Sequence, residues 1–439
     1  MVIEACLACP SGSYWVGIGV SSLGGRRGIQ PVPTNSHNDH QERPIFMASE
    51  SHESALLPAG IVDELPPHAA VEAASMEKVI QVLSSHGYER VKPPLIEFEQ
   101  SLLDGLGAAV TDQTFRLMDP VSQRMMGLRA DMTPQIARIA ATRLASSPRP
   151  LRLCYAGQVV RVKGSQLRPE RQFTQVGAEL IGNASAAADA EIICLAAESL
   201  EILGIGNISI DLGLPTLVPS VCREFTGNRP MMTKLRESLD RKDAASVQAM
   251  APEIGSSVVD VLLGMMSATG GAGTALSKLT ELNLDDESRG HLSLLADVVH
   301  TISRRNTTLR LTIDPIENRG FEYHTGVACT MFGHGVRGEL GRGGRYVASA
   351  AGSTPQPATG FTLFMDSVMR AVPMEVTQSR LYIPYGFDPA EGRRRRAEGW
   401  TVVEGLEPCD DPAFEARRLN CDHLASQDGI EDLSELNGD

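Results

Sequence analysis

Between Ala70 and His86 the apolar residues Val71, Met76, Val79, Ile80 and Leu83 recur near one helical face, and Gly87 follows where a helix can stop. A helix is predicted there. The segment YERVKPPLIEFEQ, residues 88–100, loses that period and reads as extended chain, with Glu97 and Glu99 on one strand face. RMMGLRADMTPQIARIAATRLA, residues 124–145, runs from a strand into a helix, with Thr133 as N-cap and Pro134 at the first helical position. Two strand-like runs, LRLCYAGQVVRV (151–162) and RQFTQVGAELIG (171–182), flank the polar KGSQLRPE and predict an antiparallel hairpin with a long loop.

Residues 187–203, AADAEIICLAAESLEIL, form the clearest amphipathic helix of the chain, and NISIDLG (207–213) follows as a strand. Helical patterning dominates 220–305, a helical insertion that includes the weakly structured SATGGAGTA (267–275). Strands resume at LRLTIDP, GVACTMF and TGFTLFM, which complete a main domain over 47–375. A smaller C-terminal unit, 376–439, opens with the strand RLYIPYG and continues through a basic helix, PAEGRRRRAEGW, to TVVEGL. Residues 1–46 are rich in Gly, Pro, Ser and Asn without any period, and read as a disordered extension or a mis-assigned start ahead of Met47. Long antiparallel-type groups of strands with appended helices, lacking regular βαβ alternation, place the fold in the α+β class.

Charge and composition narrow the function classes. The 439 residues are 42% hydrophobic and 21% charged, an ordinary soluble composition long enough for two or three domains. A formal net charge of −14 at pH 7 repels phosphates and argues against a general nucleic-acid or membrane-surface binder. Of 8 cysteines only Cys6 and Cys9 have C-x-x-C spacing, and no second pair completes a zinc site, so no metal is expected. No run approaches the ~18 apolar residues of a membrane span, and the N-terminus lacks a secretory pattern. A cytoplasmic chain with reduced thiols is the expectation.

Candidate chemistry gathers at four places. The hairpin carries Arg161, Arg168 and Arg171, and alternation puts Gln175, Gly177 and Glu179 on one face. That face suits either an exposed sheet with ordinary charge pairs or a pocket for charged ligand groups. In GLRADMTP, Arg129 and Asp131 flank a strand-to-helix turn, where backbone N–H groups favour an anion; a cap plus a surface pair is the plainer reading. ENRGFEYHTG, residues 317–326, supplies Arg319, Glu322, Tyr323 and His324. GVRGELGRGGRY, residues 335–346, suggests a phosphate-cradling loop, but no Walker lysine follows it. The run Arg393 to Arg396 reads as a solvated helix face. No G-x-S-x-G or H-E-x-x-H pattern appears, and no nucleophile meets its base, so no catalytic residue is assigned.

Taken in order, PPLIE, LRADMTPQIAR, CYAGQVVR, RQFTQVGAELIG, NRGFEYHTG and GRGGRY with PATGF resemble the catalytic domain of the histidyl-tRNA synthetase family, class II synthetases, from about residue 55 to 372. The resemblance implies an antiparallel sheet flanked by helices. It also implies a histidine pocket at Glu97, Arg129, Gln175, Glu179, Arg319 and Tyr323, with His324 where that family has a second tyrosine and Glu99 where it has a threonine. The ATP-handling positions depart from the family: Lys163 replaces a glutamate, Asp366 and Ser367 replace Glu-Arg, and Phe364 replaces a glycine. Losing a phosphate-binding arginine and filling nucleotide space with a phenylalanine imply little adenylate formation.

The stretch after Ser367 is shorter than an anticodon-binding domain, and LYIPYG with EGWTVVEGL resembles the tail of a paralogous family, the regulatory subunits of ATP phosphoribosyltransferase. Membership there implies a non-catalytic chain without a cofactor, self-associating as a dimer. Such a chain would pair with a short catalytic subunit at the first step of histidine biosynthesis and sense histidine for feedback. An active histidyl-tRNA synthetase and an RNA-binding module built on Arg393 to Arg396 are the alternatives.

Overall fold

A computed structural model describes residues 56–165, 168–317, 323–350, 352–373 and 379–433. The expected disorder of residues 1–46 lies outside the described residues. In chain order the strands are β1 (Glu89–Arg90), β2 (Ile96–Phe98), β3 (Arg116–Met118), β4 (Met125–Leu128), β5 (Leu151–Val160), β6 (Gln172–Ile181), β7 (Ser209–Gly213) and β8 (Gly270–Gly271). They continue with β9 (Arg310–Asp314), β10 (His324–Phe332), β11 (Gly341–Ala348), β12 (Gln356–Phe364), β13 (Arg380–Ile383), β14 (Thr401–Glu404), β15 (His423–Ser426) and β16 (Gly429–Asp432).

Nine strands form one sheet in the order β1-β5-β6-β12-β11-β10-β7-β9-β8. The run from β5 to β7 is antiparallel throughout, while β1 joins β5 and β9 joins β7 in parallel. Two smaller sheets, β2-β4-β3 and β14-β13-β15-β16, complete an α+β fold. The expected hairpin is β5–β6, with Gly157 opposite Gln175 and Leu153 opposite Glu179.

The helix Ala186–Glu201 covers one face of the large sheet. It is buried nearly all round, at Ala190, Ile193 and Ala197 as well as Ile192, Leu195 and Leu200, rather than on a single stripe. The helices His68–Ser85 and Asp286–Arg305, which also touch the sheet, pack against this helix and remove its expected polar face. At its first turn Asp189 meets Arg345 of β11 at 2.9 Å, and the same guanidinium donates to the carbonyls of Asn183 and Ser185. Both side chains are buried, so removing one strands the other without compensation. Asp189→Ala is expected to cost about 3–5 kcal/mol of unfolding free energy, read by urea denaturation.

Two local expectations change. The helix Thr133–Ala141 starts at Thr133 itself with Met132 in the cap position, because the Thr133 hydroxyl is engaged elsewhere. SATGGAGTA supplies the short β8, paired with β9, and the start of the helix Ala272–Thr280. GRGGRY, which the missing Walker lysine sets apart from a phosphate loop, forms most of β11, in the middle of the sheet between β10 and β12. The arginine run lies on the helix Pro389–Ala397, where Arg394 and Arg395 pair with Glu391 and Glu398, and Arg396 pairs with Glu404. Three of the four arginines are thus paired with carboxylates at short range, which weakens the positive patch that RNA binding would need.

Candidate functional site

A cavity of about 280 Å³ opens over β6, β11 and β12, the face of the sheet opposite the helix Ala186–Glu201. Its floor is unusually polar for a sheet interior. β6 is buried along nearly its whole length, so alternation carries Gln175 and Glu179 inward, out of reach of bulk water.

Glu179 is 1% exposed and accepts three hydroxyl hydrogen bonds. Tyr346 donates to Oε2 at 2.8 Å, Thr133 to Oε1 at 3.0 Å and Tyr155 to Oε1 at 3.2 Å. Burial pushes its pKa up to about 8, and the three hydroxyls restrain the rise by favouring the ionised form. Burial also drives the Tyr155 and Tyr346 phenols well above their usual range, with the Glu179 charge adding to the effect. The carboxylate fits only because Gly360 lies directly opposite on β12; a Cβ there would stand 1.7 Å from Oε2.

Gln175 is oriented by its backbone neighbour. Its Oε1 accepts from the Met132 N–H at 3.0 Å, and since an N–H only donates, the amide nitrogen is the end offered to a ligand. Asp131 lines the same wall, with Oδ1 taking the Thr133 N–H at 3.2 Å. On the other side Tyr323 and His324 stack at 4.3 Å between ring centroids, and Tyr323 meets Tyr346 edge-on at 6.3 Å.

The opposite end of the cavity is basic. Arg161 donates Nε to the Ala130 carbonyl at 3.2 Å and lies over the Phe173 ring at 5.0 Å. Arg342 pairs with Glu339, and Arg168 lies between Glu339 and Asp366. Burial lowers the pKa of both Arg161 and Arg168, the cost of holding guanidinium groups out of water.

Of the seven residues singled out from sequence, Gln175, Glu179, Tyr323 and His324 line this cavity. Glu97 does not: its Oε1 is held by Gln135 Nε2 at 2.8 Å and by an ion pair with Arg138. Nor does Arg129, whose buried guanidinium clamps backbone carbonyls, with Nε to Gln158 at 2.7 Å and Nη1 to Pro93 at 3.0 Å. Arg319 lies outside the described residues. Sequence reasoning gave no ligand role to Thr133, Tyr155 or Tyr346. Tyr346 stands two residues after Gly344 on the same face of β11, but a glycine-rich run carries no alternation to expose it.

A large antiparallel sheet with a polar cavity over its central strands defines a class II synthetase-like chain, and the histidyl-tRNA synthetase family model matches residues 60–368. Two solved structures share the fold. The Bacillus halodurans ATP phosphoribosyltransferase regulatory subunit/histidyl-tRNA synthetase has a TM-score of 0.73 at 24% identity, covering 86% of this chain and 99% of that one. The histidyl-tRNA synthetase of Nostoc sp. PCC 7120 has a TM-score of 0.68 at 17% identity, covering 87% and 95%. Among curated relatives, the ATP phosphoribosyltransferase regulatory subunit of Paramagnetospirillum magneticum is 52% identical over 382 residues, 87% of this chain and 99% of the relative. The chain belongs to the ATP phosphoribosyltransferase regulatory subunit family, and it is a regulatory rather than a catalytic chain.

Proposed function

We propose that this chain assembles with the short catalytic subunit of ATP phosphoribosyltransferase in the cytoplasm, supports its activity at the first step of histidine biosynthesis, and binds free histidine in the cavity as a feedback signal. The observation that carries the reading is Glu179, a buried carboxylate ringed by hydroxyls and poised near neutral pH, which suits an imidazole. Asp131, rather than Glu97, faces the ligand's ammonium. Its carboxylate meets Arg161 and the Gln175 amide nitrogen, with Arg319 a further candidate. Tyr323 and His324 form the flat wall beside the ring.

Feedback requires histidine to bind one assembly state more tightly than another, and a coupling of about 1–3 kcal/mol is typical. The test mixes the purified chain with a short catalytic subunit and measures phosphoribosyl transfer with and without histidine. Activation that histidine reverses is expected. Absence of any complex, or histidine-dependent ATP–pyrophosphate exchange by the chain alone, would overturn the reading.

Self-association belongs to the same proposal. In the β2-β4-β3 sheet, Ile96 pairs with Leu128 while Phe98 and Leu117 both pair with Met126. These five apolar side chains share one face, and none is fully buried. A second copy laid on that face would cover it. Met126→Glu is expected to shift sedimentation from dimer to monomer; an unchanged profile would remove the face from consideration.

A further inference from the structure

The basic end of the cavity is stopped by two side chains, one from the end of a strand and one from the β5–β6 loop. Phe364 ends β12 at 6% exposure, and Arg168, at 8%, returns from the hairpin loop to lay its guanidinium 3.7 Å from the centroid of that ring. Phe173 meets the Phe364 edge at 6.0 Å and fixes the ring's plane. Arg168 is then tied on its far side, with Nε 3.2 Å from Asp366 and Nη2 3.3 Å from Glu339. Ring, cation and two carboxylates close one another off.

We infer that Phe364 and Arg168 set the length of the ligand, admitting a free amino acid and excluding the same amino acid carrying a nucleotide on its carboxylate. The inference rests on the reading of the cavity as an amino-acid site and adds the residues that end it. Space is the first argument: about 280 Å³ lies below the roughly 300–1,000 Å³ typical of sites for larger organic ligands. Charge is the second. Arg168 and Arg342 both face carboxylates, whereas among the described residues Arg161 makes no ion pair. One guanidinium without an ion-pair partner matches one carboxylate, while the phosphates of a nucleotide would meet Glu339 on the cavity wall. Displacing Arg168 to make room would separate a buried cation from its partners, which is strongly unfavourable.

The experiment titrates wild type, Arg168→Ala, Phe364→Gly and the double variant calorimetrically with histidine, with ATP, and with a non-hydrolysable sulfamoyl analogue of histidyl adenylate. The readout is the ratio of analogue affinity to histidine affinity. Wild type is expected to favour histidine, and the double variant to raise the ratio by about tenfold or more, 1.4 kcal/mol. Wild type binding the analogue as tightly as histidine, or a folded double variant with an unchanged ratio, overturns the inference. If the double variant does not fold, Phe364→Leu, which keeps apolar bulk but removes the ring, takes its place with the same direction expected. Wild type that binds no histidine sinks the functional reading instead. The inference about length is then decided by ATP alone, which the opened variant should bind and wild type should not.

Discussion

Glu179→Gln is expected to weaken histidine binding by at least about thirtyfold, since removing one partner of a buried, hydrogen-bonded charged pair costs about 2–5 kcal/mol. The amide matches the carboxylate in size and keeps contacts with Tyr346, Thr133 and Tyr155 available, so the loss reports charge and proton rather than shape. The pH dependence separates the two. The complex holds one proton between carboxyl and imidazole. Free imidazole titrates near pH 6.5, and the empty site titrates at about 8. Below about pH 6.5 site and ligand together carry one proton too many, and above about 8 one too few, so affinity should peak between those values and fall on both flanks. Calorimetric titration across pH 5.5 to 9, a range set by those two pKa values, checks this, and Glu179→Gln should flatten the alkaline flank. A flat wild-type profile would exclude Glu179 as the imidazole's partner.

The same raised pKa bears on folding. The folded state holds its proton up to about pH 8, while the unfolded carboxyl ionises near its model value of 4.5. The unfolded state therefore binds fewer protons within that window, and stability falls as pH rises through it. Glu179→Gln abolishes this slope, so the variant should melt above wild type at pH 8 even as it loses the ligand.

Gly360→Ala should damage both fold and site. Its Cβ would stand 1.7 Å from Glu179 Oε2 and 2.7 Å from the Ala178 carbonyl, so either the carboxylate leaves its hydroxyl cage or β12 parts from β6. Overpacking of this kind costs about 1–3 kcal/mol, and occasionally more. Loss of histidine binding together with a lowered melting temperature is expected. Gly206→Ala, with nothing within 4 Å of the added carbon, is the control. Normal binding by Gly360→Ala would mean that the floor of the cavity yields more easily than its packing implies.

The parts legible in sequence were those whose pattern is local. The β5–β6 hairpin announced itself through two long apolar runs around a polar loop, and its alternation placed Gln175 and Glu179 together before any tertiary contact was known. β11 was illegible for the opposite reason: GRGGRY has no alternation, because its glycines answer to atoms on neighbouring strands. At Gly344 an added Cβ would meet His324 Cδ2 at 2.7 Å. Glu97 and Arg129 show a different limit. A charged residue in a motif does not reveal whether its partner is a ligand or the protein itself, and here Gln135, Arg138 and the Pro93 and Gln158 carbonyls take both. The helix Ala186–Glu201 carried its own periodicity but no record of the two helices that enclose it.

The stack of Arg168 on Phe364 also shapes which sequences lie within evolutionary reach of this one. Replacing Phe364 alone takes the ring from beneath a buried guanidinium, replacing Asp366 alone leaves that guanidinium one carboxylate short, and an arginine at position 367 would bring a second cation beside Arg370. The cost of each single substitution depends on which residues stand at the other positions. Phe364, Arg168 and Asp366 therefore behave as one unit, and the stability costs of replacing them singly and together are expected to be non-additive.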